Sequence, residues 1–430
     1  MNVLIKKARI FQRGNKHHLK TRDIHIKNGR VLKIAASIKD DSAKEISSEN
    51  LCVSAGWLDM RANFREPGHE YKEGLANGLR TAAKGGFTGV VSMPTTYPVV
   101  DNNTAVQFLK NNSATAITEI FPAGSISQGL KGKQLSEFHD MTQSGAVAFT
   151  EDTALLNNTN LLSKALEYSK TIGALVYSFP YDPNLISDGQ MHEGKTSTLL
   201  GMRGIPNVSE EIQLSRDILL LKHFGGKLHV VAISTEDSVN MIRTAKKEGL
   251  AITCSIHAHQ LSFTDEAVST FDSRFKVLPP FRSEADRKAL IKGLKDGTID
   301  AICSGHEPED VEEKKREFTL AAFGISSLET AFSAANSELG KNYPLEDLVD
   351  KFTTAPRDIL GISIPQFEEG EVANFTLFDP SKKWTFRREE MLSKSKNTPY
   401  NNSKFTGKVL GVINRGKSSI DYCSSKLTIY

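Results

Sequence analysis

A (β/α)8 barrel carrying a small β-sandwich domain built from both chain ends is the α/β architecture that this 430-residue sequence predicts. Three observations point to it. Apolar strand segments alternate with helical ones through the middle, the strands beginning near Trp57, Gly89, Glu119, Ala146, Ala174, Lys227, Ala251 and Ala301. The two ends are rich in short strands and turns instead. No G-x-G-x-x-G loop follows the first middle strand, as an open doubly wound sheet would want. The length exceeds one ordinary core, so residues 1–55 and 365–430 are assigned to a composite β domain and 56–364 to the barrel.

At the N-terminal end, Val3-Leu4-Ile5, Ile24-His25-Ile26 and Val31 to Ile34 are strands, the last two joined by the turn Lys27-Asn28-Gly29-Arg30. At the other end Phe375 to Phe378 is a strand stopping at Asp379-Pro380. Val409 to Asn414 is another, turned at Arg415-Gly416-Lys417. Between them, Thr264-Asp265-Glu266 offers a helix N-cap with acids in the first turn. Ser283 caps a helix that closes at Lys295-Asp296-Gly297. Gly85-Gly86-Phe87-Thr88-Gly89 and Gly225-Gly226 end helices and turn into strands; neither has the lysine of a phosphate loop.

Composition excludes several classes. Apolar content of 39% and a formal net charge of +3 describe a soluble globular chain with no nucleic-acid footprint and no membrane surface. No run approaches the roughly 18 apolar residues of a membrane span, and the first residues lack a signal-peptide core. Cysteines 52, 254, 303 and 423 have no C-x-x-C spacing, which argues against zinc ribbons and disulfides and fits a reducing cytoplasm. The acidic run Glu307 to Glu313, followed by Lys314-Lys315-Arg316, reads as a solvated helical face.

In a barrel of this type the functional side chains stand where strands end. The first strand leads into Arg61-Ala62-Asn63-Phe64-Arg65-Glu66-Pro67-Gly68, the second into Met93-Pro94-Thr95-Thr96, the fourth into Glu151-Asp152 and the eighth into Gly305-His306. This wording resembles a dihydroorotase, a cyclic amidohydrolase of pyrimidine biosynthesis. The resemblance continues through "LHVVAISTEDSV", "FKVLPPFRSEADRKALIKGLKDGTIDAICSGHEP", "FGISSLETAF" and "SKNTPY", and so spans nearly the whole chain.

The resemblance implies zinc-assisted ring hydrolysis, in which a metal-bound hydroxide attacks the amide carbon and an aspartate shuttles the proton. The residues expected to do this are missing. Arg61 and Asn63 stand where the family has a His-x-His pair. Phe179, or Ser178 with a one-residue shift, replaces another histidine, and Ala232 a further one. Gly305 replaces the aspartate that is both ligand and base, so no catalytic set is intact. Only the carboxylate after the fourth strand survives, as Glu151 or Asp152. A zinc site draws its affinity from about four lone-pair donors, so no metal or other cofactor is expected.

Some substrate-facing positions persist by the same resemblance. Arg65 matches the arginine that grips a substrate carboxylate and His306 a residue beside it, while Thr95 and Leu278 replace pocket asparagines. A small carboxylate ligand is one expectation; Arg65 and His306 turned to internal hydrogen bonds is the other. Arg61 is expected to pair with Glu151 or Asp152 and replace the ion electrostatically, against the alternative of a side chain extended into solvent.

Function follows in two readings. One is a metal-free, hydrolysis-incompetent dihydroorotase relative, a homodimer that serves as binding or scaffold partner in pyrimidine synthesis, for example of aspartate transcarbamoylase. The other is a working amidohydrolase with an unrecognised site around His257 and His259 with Glu151 or Asp152. The pair lies on the seventh strand or just beyond it, where period-two spacing would set both rings on one face.

Overall fold

The computed structural model describes residues 1–420. Residues 421–430 of the expected terminal domain, with Cys423, lie outside the described residues. Eight parallel strands form the barrel sheet in chain order: Trp57–Ala62, Phe87–Ser92, Glu119–Ser125, Ala148–Thr150, Val176–Ser178, Leu228–Val230, Ile252–His257 and Ala301–Cys303. The eighth returns to the first through a parallel bridge between Ala62 and His306, where the Asn63 amide donates to the His306 carbonyl at 2.9 Å. That closure sets Arg61, Asn63 and Gly305 side by side at the C-terminal mouth.

The chain ends build a separate sheet with its own apolar core. Its order runs Lys417–Ile420, Lys404–Asn414, Phe375–Thr385, Cys52–Ala55, Asn2–Phe11, Thr21–Lys27 and Arg30–Ala35, with Lys44–Ile46 beside Asn2–Phe11. The ends meet where Cys52–Ala55 pairs antiparallel with Phe375 to Phe378. The strand expected to stop at Asp379-Pro380 continues to Thr385. The ladder skips from Asp379 to Lys383, so the proline sits in an irregular stretch that needs no amide donor.

Two further expectations need correction. The segment after Thr264 is a short 3-10 turn, Asp265–Thr270, and Thr264 makes no capping hydrogen bond. By contrast Ser283 accepts from the Asp286 amide and starts helix Glu284–Lys295 as its cap pattern requires. The acidic-then-basic run near residue 310 is not a solvated helical face. Glu309 and Lys314 are buried, and only Val311–Lys314 is helical.

Trp57 ties the layers together. Its ring is fully buried among Phe87, Phe332 and Phe352, with Phe378 of the terminal sheet on another side, and its indole N–H donates to the Ser54 hydroxyl at 2.9 Å. Trp57→Ala is expected to cost about 3–5 kcal/mol, read as a lower denaturant midpoint. A loss under about 1 kcal/mol would show that this ring does not bind barrel to sheet.

Candidate functional site

Four strand-end residues have left-handed backbone: Arg65 (φ 61°), Asp152 (φ 45°), Ala232 (φ 58°) and Gly305 (φ 65°). Non-glycine residues enter that region at a cost, and such outliers gather at sites whose side chains must be aimed. Arg65, Asp152 and Gly305 lie around the mouth, where Arg61 is the central group. Its side chain is 1% exposed. Its guanidinium donates from Nε to Asp152 at 3.0 Å and from Nη2 to Glu307 at 2.8 Å, and Nη2 also lies 2.9 Å from the same Asp152 oxygen as an ion pair. The Phe179 ring lies 5.5 Å from the guanidinium carbon.

The ion chain continues outward. Glu307 also accepts from Arg65 at 2.7 Å, Arg65 donates to Glu309 at 2.5 Å, and Lys72 closes the series on Glu309 at 2.6 Å. Three cations thus alternate with three carboxylates: Asp152, Arg61, Glu307, Arg65, Glu309, Lys72. Burial tends to lower the Arg61 pKa, but Asp152 and Glu307 outweigh it and keep the guanidinium charged. Burial pushes Glu307 up, yet Arg65 and Arg61 together hold it below the ordinary glutamate value. For Asp152 burial prevails over Arg61, and its carboxyl is raised.

Of the two candidate carboxylates, Asp152 therefore meets Arg61. Glu151 turns away and accepts from the Ser127 amide at 2.6 Å and hydroxyl at 2.7 Å. Asn63 and Thr95 serve the pair: Asn63 donates to the Thr95 hydroxyl at 2.6 Å, which donates to Asp152 at 3.1 Å, while Asn63 Oδ1 accepts from the Arg65 amide. Ser178 stands apart, its hydroxyl donating to buried Asp217. Ala232 is buried in the apolar barrel core, and Leu278 is half-buried at the mouth.

Gly305 has no room for a side chain. A Cβ there would lie 2.5 Å from Cγ of His257, so the imidazole fills the space a base would use. His257 ends its strand and His259 sits in the following 3-10 turn, so strand alternation does not align them; their rings tilt at 46° with centroids 5.0 Å apart. Neither ring has a hydrogen-bond partner. The Ser304 carbonyl lies near enough to favour charged His259 slightly, though outside bonding geometry. His306 accepts the Ser327 amide on Nδ1 at 3.2 Å, which leaves the proton on Nε2, 4.0 Å from Glu73.

These residues do not fit zinc. The cation's place beside Asp152 is taken by a guanidinium, which offers protons and no lone pair. Among the described residues no three His, Cys, Asp or Glu side chains are grouped to hold a metal ion. Glu307, Glu309 and Lys72 were not singled out by sequence reasoning. The available signal was the pair of arginines at a strand end, since guanidiniums withdrawn from solvent require carboxylates and Glu307-Pro308-Glu309 lies just past the end of the eighth strand.

The fold, barrel and terminal sheet together, is shared with solved structures of hydantoinases and dihydropyrimidinases. Solved relatives in shape include the L-hydantoinase (dihydropyrimidinase) of Arthrobacter aurescens, at TM-score 0.85 and 22% identity over 100% of this chain and 97% of that one. The dihydropyrimidinase of Brevibacillus agri gives 0.82 and 19% over 98% and 95%. Sequence places the chain more narrowly. Residues 51–238 match the dihydro-orotase-like family. The dihydroorotase of Pelotomaculum thermopropionicum is 39% identical over 89% of this chain and 90% of its own length, and that of Geobacter metallireducens 39% over 93% and 95%. The chain belongs to the dihydroorotase family.

Two outcomes follow from the geometry. Arg61→Met leaves buried Asp152 unpaired and should cost about 3–5 kcal/mol in urea unfolding, most of it regained in Arg61→Met with Asp152→Asn. No recovery in the double variant would mean that the charge pair is not what the single change breaks. The second concerns acid. Burial holds His229, His259 and His306 at about 3, so each gives stability that is full above about pH 6.5 and lost as the pH falls below it. That is about 1.4 kcal/mol per pH unit per ring. Asp59, raised to about 6 by burial, pulls the other way in this window. His306→Asn should therefore flatten the fall in stability between pH 6.5 and 5.5 by about one proton's worth; an unchanged slope would contradict its burial as a neutral ring.

Proposed function

We propose that this dihydroorotase-family barrel is hydrolysis-incompetent and acts as a cytoplasmic binding or scaffold partner in pyrimidine synthesis. In this reading it is a homodimer and aspartate transcarbamoylase is the first partner to try. The observation that carries the reading is the Arg61 guanidinium lying between Asp152 and Glu307 where the family resemblance expects a cation. Hydrolysis of a cyclic amide needs an activated water and a group to carry its proton. The guanidinium supplies no site for the first, and the Gly305 position, closed by His257, supplies no base.

What supports a binding role is that the mouth is built rather than collapsed. Asn63 and Thr95 position Asp152, and the ion chain is matched charge for charge. The competing reading, hydrolysis at a site around His257 and His259, draws on their unpartnered rings.

The test is ring opening of dihydroorotate, and the reverse cyclisation of N-carbamoyl-aspartate, by the purified full chain with added zinc. Co-elution with aspartate transcarbamoylase is measured in parallel. The expected outcome is no turnover above buffer, together with a stable complex. Turnover that survives Arg61→Met and is lost in His257→Asn would favour the competing site instead.

A further inference from the structure

The barrel mouth encloses a cavity of about 300 Å³ whose lining carries two carboxylates, Glu307 and Glu309, and one cation, Arg65. Leu278, Phe323 and Ile325 supply an apolar wall, and the buried ring of His259 lines the same space. Arg65 is the group that could receive an anion here, and it is already clasped at 2.7 Å by Glu307 and at 2.5 Å by Glu309. Lys72 and Arg61 are likewise engaged, on Glu309 and on Asp152 with Glu307. Each cation of the chain is already paired, so an entering carboxylate would face the Glu307 and Glu309 carboxyl groups with no unpaired member of the chain to meet it.

The same groups suit a different guest. Carboxylate oxygens keep lone pairs for N–H donors, and a neutral imidazole offers one donor and one acceptor. Apolar walls favour a compact ring. We infer that the mouth cavity binds small uncharged molecules of the amide, lactam or ureide class and discriminates against their carboxylated forms. This deepens the proposed function and rests on its reading of the mouth as a site that binds without hydrolysing.

The probes are 5,6-dihydrouracil and dihydroorotate, which differ by one carboxylate, titrated calorimetrically into the full chain. Dihydrouracil is expected to bind at least tenfold more tightly. Glu309→Gln releases Arg65 and Lys72 and should move the ratio at least tenfold toward dihydroorotate; Glu307→Gln, on the other side of Arg65, is the second variant should the first not fold. Equal or tighter binding of dihydroorotate to the native chain, no binding of either probe at millimolar concentration, or a ratio unmoved by both variants would overturn the inference. Ring-opened product from either probe would instead overturn the hydrolysis-incompetent reading, with the ligand preference still decided by the measured ratio.

Discussion

A buried guanidinium between two carboxylates is the constraint on which the rest of the mouth depends. Arg61 cannot lose its proton in the interior, and Asp152 and Glu307 cannot both stay charged without it. Each neighbour is then fixed by what remains unsatisfied. Glu307 draws in Arg65, Arg65 draws in Glu309, and Glu309 takes Lys72 at the half-buried edge. An interior ion pair is not stabilising by default, because desolvation consumes most of the Coulomb gain. In this arrangement each of the six side chains meets an opposite charge, and the inner four meet two, so losing one partner leaves its neighbours less compensated.

The backbone that carries this chain is shaped for aiming side chains inward. Arg65 and Asp152, which carry two members of the ion chain, both have left-handed backbone, and that conformation has a steric cost for a non-glycine residue. Closure of the eighth strand on the first, through Ala62, Asn63 and His306, brings Glu307 within reach of Arg61. At the opposite end of the first strand the Trp57 cluster holds the barrel against the terminal sheet, so the strand that carries Arg61 is anchored by aromatic packing where it begins.

Much of this was legible in the residues. The eight strand starts needed only apolar runs between helical segments. The pairing of Arg61 with a carboxylate after the fourth strand followed from the cost of an unpaired buried charge. The sequence left Glu151 and Asp152 equal, because their difference lies in the backbone: Asp152 is turned by its positive φ toward Arg61, while Glu151 is held by Ser127. The run from Glu307 read as solvated because charge spacing along a chain does not reveal that a strand end is buried by its neighbours. Nor does glycine at 305 reveal that His257 fills its space, a contact between two different strands.

The central claim is that an arginine side chain, and not a metal ion, occupies the seat beside Asp152. Crystals of the full chain soaked in zinc and measured on both sides of the zinc absorption edge test it most directly. The account predicts Arg61 density between Asp152 and Glu307 and no anomalous peak in the barrel mouth. A strong peak within coordination distance of Asp152, with Arg61 swung aside, would contradict it.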